Sequence, residues 1–181
     1  FVISFFGIAA FASMEAVYGL WSEANFGWTA KDLGFAFIAI GVGGLVVQLF
    51  FLHPLVVRFG EGRVITGGLA VLALSMLLQP IVREPYMAVL LMGTLMMGHS
   101  LAFPTSGALI SRTAPPQGQG SVMGLLMASN ALSRIIAPPT FGLIYETGHD
   151  APWYAGAVMI ALVVPLGLQV VALVRKPVAA S

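Results

Sequence analysis

Six long apolar runs, separated by short polar breaks, dominate the sequence. They cover residues 2–20, 33–57, 64–81, 87–110, 121–145 and 153–174. A helix rises ~1.5 Å per residue, so about 20 residues cross the ~30 Å hydrocarbon core of a bilayer. The runs do not alternate apolar and polar residues, as the strands of a membrane barrel would. The pattern therefore predicts an all-α membrane protein with six transmembrane helices in one bundle over residues 1–181.

Composition supports a lipid environment and excludes several classes of site. Of the 181 residues, 59% are hydrophobic and only 8% are charged, whereas soluble domains average about 25% charged residues. The sequence contains no cysteine, which excludes disulfides, thiolate metal ligands and cysteine nucleophiles. It also has no basic cluster suited to nucleic acid. We expect the lipid bilayer as the surrounding partner, and neither a cofactor, a metal nor a nucleic acid.

Charged and aromatic residues near the breaks predict an orientation. Cytoplasmic loops of membrane proteins are enriched in Lys and Arg. One side of the predicted bundle collects five such residues and the other collects two; the five are Arg58, Arg63, Arg112, Arg175 and Lys176. This predicts a multi-pass protein of the plasma (inner) membrane with a cytoplasmic C-terminus. Aromatic residues at the opposite ends are predicted to form an interfacial belt; they include Trp21, Trp28, Trp153, Tyr18, Tyr86, Tyr145 and Tyr154.

The fifth run contains a polar stripe. Ionisable groups at the centre of a membrane helix cost about 2.5–3.5 kcal/mol on insertion scales, so an arginine there needs a reason. Arg134 lies near the middle of the run, and Asn130 and Met127 precede it at helical spacing. The stripe predicts a helix that lines a substrate-filled or aqueous cavity. The alternative is a structural arginine that pairs with a carboxylate or carbonyls of a neighbouring helix.

Four further residues are candidates for substrate binding or proton coupling. His99 lies near the middle of the fourth run, one turn after Met96, and histidine titrates near neutral pH. Glu15 lies within the first run, where a buried carboxylate would be a candidate proton carrier. Gln48 in the second run is a possible substrate contact. The alternatives are a histidine that bonds its neighbours, a glutamate that reaches interfacial water, and a methionine that only fills the core.

Turn and helix-breaking residues suggest where the bundle bends and closes. The turn containing Arg58, Gly60 and Arg63 is positively charged, so its arginines either set the topology or bond helix C-termini and close a gate. Four prolines inside the runs are expected to bend or interrupt their helices: Pro104, Pro138, Pro139 and Pro165. Small residues at 120, 124 and 128 form a ladder that permits close helix contact.

Three stretches carry a family resemblance, namely residues 13–18, 55–63 and 104–146. The chain resembles the major facilitator superfamily, and within it the drug:proton antiporter branch that includes the tetracycline efflux proteins. In the loop motif Leu55, Arg58 and Gly60 match the family pattern. That pattern ideally begins with Gly and carries an Asp before the Arg.

The chain departs from the family at two positions of the loop motif and at one position of the third stretch, where the family has an Arg before a Gly-Pro kink. His53 stands where the motif begins with Gly, and Val57 replaces the Asp, so the charge-relay role of that Asp is not carried over. Ala137 stands where Gly is usual before the kink at Pro138.

The resemblance implies the C-terminal half of a secondary transporter, built from two inverted three-helix repeats. Such a half would pack against an N-terminal six-helix half, absent from this sequence, and move a small amphipathic solute by alternating access, with a proton as the coupling ion. The chain starts at Phe1 within an apolar run, which also predicts a fragment. Pro138 and Gly142 would take part in gating.

Two alternatives to transport are compatible with parts of the sequence. Thr105, Ser106 and the intramembrane histidines suggest an intramembrane serine protease. However, Ser106 lies near the cytoplasmic end of its helix, and neither His99 nor His53 follows it on a later helix. We therefore expect no enzyme activity, and a non-transporting membrane scaffold is the other alternative.

Overall fold

The computed structural model describes residues 1–115 and 117–174, and every regular element within them is helical. Because α2, a π-helical turn and α3 run on without a break, six helices are long and apolar enough to cross a membrane. The predicted all-α, six-helix class is confirmed, while Arg175 and Lys176 lie outside the described residues. The elements are α1 (Val2–Phe26), α2 (Ala30–Val46), the π-helical turn (Val47–Phe51), α3 (Leu52–Phe59), α4 (Glu61–Leu78), a 3-10 turn (Gln79–Ile81), α5 (Pro85–Thr113), α6 (Gln119–Thr147) and α7 (Ala151–Val174).

The first break is much shorter than the sequence pattern predicted. Helix α1 continues to Phe26 and ends where Gly27 adopts a left-handed conformation (φ 66°), its N–H donating to the Glu23 carbonyl at 2.8 Å. Helix α2 then begins with a capping box, in which Thr29 N–H donates to Asp32 Oδ2 at 2.9 Å and Asp32 N–H donates to Thr29 Oγ1 at 3.4 Å. The apolar pattern placed the end of α1 too early because the last residues of this helix include polar ones.

The second span changes helical register in its C-terminal half. Leu52 N–H donates to the Val47 carbonyl, five residues back instead of four. Pro54 lies three residues beyond the end of this π-helical turn. A proline both lacks an N–H and clashes with the carbonyl four residues earlier. A π-helical turn relieves that clash without ending the helix. The prolines highlighted above behave differently, since α5, α6 and α7 continue through Pro104, Pro138, Pro139 and Pro165.

The helices pack in two layers. Helix α5 lies between α1 and α2, and α6 packs against α1, so the second span (α2 with its π-helical turn), α5, α1 and α6 form a row that we call the front layer. Helices α4 and α7 pack against each other, and α4 also packs on α5 and α7 on α1. Each of the first three spans has a counterpart among the last three: α1 corresponds to α5, the second span to α6, and α4 to α7. When every span is replaced by its counterpart, each packed pair named above becomes another of these pairs or stays the same. This is the pairing expected of two related three-helix repeats.

Two glycines bring α4 and α5 into backbone contact. A Cβ added at Gly98 would lie 2.6 Å from the Gly68 carbonyl oxygen, and a Cβ added at Gly68 would lie 2.7 Å from the Gly98 oxygen. Helices α4 and α7 approach similarly, because a Cβ at Gly62 would lie 2.8 Å from the Val171 Cα. By contrast, Gly120 and Gly124 of the predicted ladder face open space in the described structure.

One end of the bundle, which we call the tryptophan end, is closed by an aromatic cluster. Tyr18, Trp21 and Trp153 are fully buried, with ring centroids 5.5–6.2 Å apart. The Trp21 indole N–H donates to Asp150 Oδ1 at 2.8 Å. The prediction of an interfacial belt is therefore wrong for these three residues, because edge-to-face packing inside the bundle is available to them. Tyr86 and Tyr154 are exposed.

Candidate functional site

The candidate substrate and coupling residues all lie on the front layer, and none lies on α4 or α7. Helix α1 contributes one, the π-helical turn one, α5 two and α6 three. Helices α2 and α6 are also the least buried spans, with 22% and 17% of their most apolar segments buried, against 56% for α1. The residues are Glu15, Gln48, Met96, His99, Met127, Asn130 and Arg134.

His99 is held between two phenylalanine rings where α1 meets α5. Its ring centroid lies 4.0 Å from that of Phe11 and 4.5 Å from that of Phe103, with interplanar angles near 30°. Gly7 makes room for this stack, because a Cβ there would overlap the Phe103 ring. His99 Nε2 is buried and has no hydrogen-bond partner among residues 1–115 and 117–174. The imidazole is thus held by ring stacking, and its buried Nε2 keeps its capacity to form a hydrogen bond.

The polar stripe on α6 is present but only partly exposed. Met127 is 65% exposed and Arg134 is also exposed, whereas Asn130 is half-buried between them. Asn130 Oδ1 is buried and makes no hydrogen bond within the described residues. The Arg134 guanidinium forms no ion pair in the described part of the chain. The alternative of a structural arginine paired to a carboxylate of a neighbouring helix is therefore not what the described structure shows.

Glu15 and Met96 lie in surroundings different from those anticipated. Glu15 is exposed on the surface of α1, so it is not the buried carboxylate considered above. Its neighbours Met14 and Tyr18 point into the core and are fully buried. Met96 packs on α2, because a Cβ at Gly44 would lie 2.7 Å from the Met96 Cγ. Met96 therefore joins α2 to α5, as in the alternative that methionine fills the core.

Gln48 lines a cavity of about 220 Å³ between the second, third and fourth spans. The residue is exposed and belongs to the π-helical turn, an element that is frequent at functional sites. The cavity carries both donors and acceptors, so it can hold water or a polar group of a ligand. Its other lining residues are Leu52, His53, Val56, Glu61, Pro104, Thr105, Ala108 and Arg112.

An ion pair that the sequence analysis missed lies in the wall of this cavity. Glu61 at the start of α4 pairs with Arg112 in the last turn of α5. Because α4 and α5 run in opposite directions, this pair ties their ends together. The sequence did indicate this pair, because Glu61 is the acidic residue of the positively charged turn and Arg112 ends another span on the same side. We call this side the arginine end.

The predicted gate residues are divided between the arginine end and α6. Arg58, Gly60 and Arg63 are exposed, and the Arg58 guanidinium lies 5.5 Å from the ring centroid of Phe59. Gly60 has φ 84°, a conformation that favours glycine, and it separates α3 from α4. Pro138 and Gly142 are half-buried inside the continuous helix α6.

Ser106 does not have the environment of a protease nucleophile. Its hydroxyl donates to the Phe103 carbonyl at 3.0 Å and lies 3.5 Å from the Ser4 hydroxyl oxygen. No histidine bonds to it within the described residues. A serine nucleophile requires an adjacent general base, which this arrangement does not supply.

Known proteins share both the sequence and the fold. A sequence profile described as Major Facilitator Superfamily matches residues 1–181. The chain is 29% identical over 154 residues to the tetracycline resistance protein, class C, of Escherichia coli, which covers 83% of this chain and 39% of that protein. It is 29% identical over 185 residues to multidrug resistance protein 2 of Bacillus subtilis (strain 168), which covers 100% of this chain and 44% of that protein.

A solved structure gives the same result for the fold. The crystal structure of the human organic anion transporter MFSD10 (TETRAN) matches with a TM-score of 0.83 at 21% identity, covering 91% of this chain and 39% of that one. Across these comparisons the chain spans about two fifths of the length of the proteins it matches.

Proposed function

Because the chain belongs to the Major Facilitator Superfamily, a family of membrane transporters and not of enzymes, we propose that it forms the C-terminal six-helix half of a secondary active transporter. The intact protein would export a small, amphipathic compound by alternating access, in exchange for protons. Three similar proteins are named for tetracycline resistance, multidrug resistance and organic anion transport. Their names support an amphipathic substrate class without identifying the compound.

The placement of the candidate residues carries this proposal. All seven lie on the front layer, and its outer helices α2 and α6 are the least buried of the six spans. Arginine and glutamate are expensive next to acyl chains, so Arg134 and Glu15 need a polar surface in the intact protein. A second six-helix half against the front layer would supply that surface, with a solute pathway between the halves. A non-transporting scaffold would have no need of these groups.

Within this proposal the residues have distinct roles. Glu15 and His99 would exchange protons, Arg134 and Asn130 would bind or steer the polar part of the solute, and Met127 would contact its apolar part. Gln48 would contact the solute from the cavity beside the π-helical turn. Arg58, Gly60 and Arg63 would form the gate at the arginine end, where the Glu61–Arg112 pair holds α4 to α5. Pro138 and Gly142 would let α6 bend during the transition.

The carboxylate of Glu15 gives the first test. Replacing it in Glu15→Gln removes the titrating group but keeps the size of the side chain. Coupling between two ligands is typically worth 5–150-fold in affinity, so the acceleration of efflux by a pH gradient should fall by roughly that factor. The measurement is efflux of ethidium, a lipophilic cation, from vesicles that contain the full-length protein, with and without an imposed pH gradient.

Glu23→Gln is the matched control for this test. Glu23 is also exposed on α1, two turns nearer the tryptophan end. It should leave the response to the gradient unchanged. Equal coupling in Glu15→Gln and wild type would remove Glu15 from the mechanism. Wild-type protein that moves no ethidium under any gradient, and none of a panel of tetracycline-like and organic-anion probes, would overturn the transport proposal itself.

The predicted orientation gives a second test. The positive charges at the arginine end would place that end, and the C-terminus, in the cytoplasm of a bacterial cell, with the protein in the inner membrane. A green fluorescent protein fused to the C-terminus should fluoresce in cells, and alkaline phosphatase inserted between α4 and α5 at Arg83 should be active. The reverse pair of results would show the opposite orientation.

A further inference from the structure

The back of the bundle carries an apolar groove that the proposed transport mechanism does not use. It lies between α4 and α7 and has a volume of about 470 Å³, within the range of small-molecule sites. All of its lining residues are apolar: Ala70, Ala73, Leu74, Leu77, Ala157, Val158, Ala161 and Val164. From this geometry we infer that the groove binds one acyl chain of a membrane phospholipid, whose headgroup lies at the tryptophan end beside Arg83.

The shape of the groove fits a chain better than a helix. Its floor is made of the more buried residues Ala73, Ala157 and Val164, whereas Leu74 and Val158 stand out at its rim and are more than half exposed. Helices associate in membranes through small residues on the protruding surface, which let two backbones approach. Here Ala73 and Ala157 lie on the floor, Ala70 and Ala161 are exposed, and the branched side chains of Leu74, Leu77 and Val158 also stand at the rim. The protruding Leu74, Leu77 and Val158 hinder the close backbone approach of a second helix, whereas a flexible chain can enter between them.

The ends of the groove match the two ends of a phospholipid. Toward the tryptophan end, one helical turn beyond Leu77 and Val158, lie the exposed residues Ile81 and Tyr154. Tyrosine suits the membrane interface, because it has an apolar ring and a polar hydroxyl. Arg83 follows Ile81 in the polar break before α5 and is exposed. Its guanidinium has the charge and the hydrogen-bond donors that a lipid phosphate needs.

The energetics indicate which lipid is favoured. An acyl chain gains little hydrophobic free energy by leaving other acyl chains, so packing contacts and the headgroup must hold it. A basic residue at the surface favours anionic lipids. The groove should therefore prefer phosphatidylglycerol to phosphatidylcholine, and Arg83→Gln should lower that preference by about fivefold.

Photolabelling tests the inference on the intact protein. The protein is reconstituted into phosphatidylcholine vesicles that contain a trace of phosphatidylglycerol with a diazirine in its acyl chain, irradiated, and mapped by mass spectrometry. Labels should concentrate on residues 70–77 and 157–164, above the level on the exposed apolar face of α2. Ala161→Trp should reduce groove labelling to that background level.

Two controls separate occupancy from folding and from other occupants. Leu162→Trp places the same ring on the neighbouring residue, which is 73% exposed and does not line the groove, and should leave labelling unchanged. Ala70→Trp fills the groove from its exposed rim and should act as Ala161→Trp does. Even labelling of all lipid-facing helices would overturn the inference. Residues 1–181 contain no cysteine, and any cysteine elsewhere in the intact protein is replaced by serine for this control. Disulfide dimers formed through Ala161→Cys would overturn the inference in favour of a second copy.

Discussion

Gly98→Ala is expected to lower the melting temperature of the protein in detergent. The added methyl carbon would lie 2.6 Å from the Gly68 carbonyl oxygen and 2.9 Å from the Leu72 backbone nitrogen. Both contacts are with backbone atoms, so relief requires α4 and α5 to move apart. Overpacking of this kind costs about 1–3 kcal/mol. For a chain of this size each kcal/mol corresponds to roughly 2–4 °C.

Gly93→Ala in the same helix is the matched control. A Cβ at Gly93 meets no atom within 4 Å. Alanine is the better helix former by about 1 kcal/mol, so this variant should be as stable as wild type or slightly more stable. Both substitutions add one methyl group, but their expected effects on the melting temperature have opposite signs. If Gly98→Ala melted at or above the wild-type temperature, the close crossing of α4 and α5 would be wrong.

Arg134→Ala is expected to reduce turnover of the full-length protein strongly while leaving its melting temperature almost unchanged. Arg134 is exposed, and its guanidinium forms no ion pair within the described residues, so folding of this half does not depend on it. Hydrogen bonds to charged groups contribute about 1.5–3 kcal/mol. Loss of one such bond to the solute or to the other half therefore predicts a decrease in transport of roughly 10–150-fold.

Arg134→Lys separates the charge from the planar guanidinium. Lysine retains the positive charge but cannot form the two parallel hydrogen bonds of arginine. Partial recovery of ethidium efflux would indicate steering by charge, and no recovery would indicate bidentate binding. A melting temperature that falls in proportion to activity would show that Arg134 has a structural role. Wild-type turnover in Arg134→Ala would make it a bystander.

The sequence anticipated the fold class and the family but not the environment of each candidate. Apolar runs and loop motifs were sufficient for six spans and for the superfamily, because span length and turn chemistry are local properties. Glu15 illustrates the limit, since its place in an apolar run predicted burial, whereas the side chain is exposed on the front layer. Periodicity cannot say which face of a helix meets its neighbours when nearly every residue is apolar.

Glycine and aromatic residues show the same limit. The small-residue ladder at 120–128 suggested close helix contact. The close contact occurs instead between Gly68 on α4 and Gly98 on α5, which are consecutive spans. Trp21 and Trp153 were expected at the lipid interface and lie in the core. In both cases the deciding neighbour is on another helix, so no local signal identifies it.

By itself the sequence determined that this chain lies in lipid as six helices, because too few charges remain to cover a surface in water and the backbone must bond within helices. Only the tertiary structure decided which residues share the front layer, how His99 is stacked between two phenylalanine rings, and where α4 and α7 leave a groove. Those properties depend on how rigid helices pack against one another, and packing joins residues that are far apart in the chain.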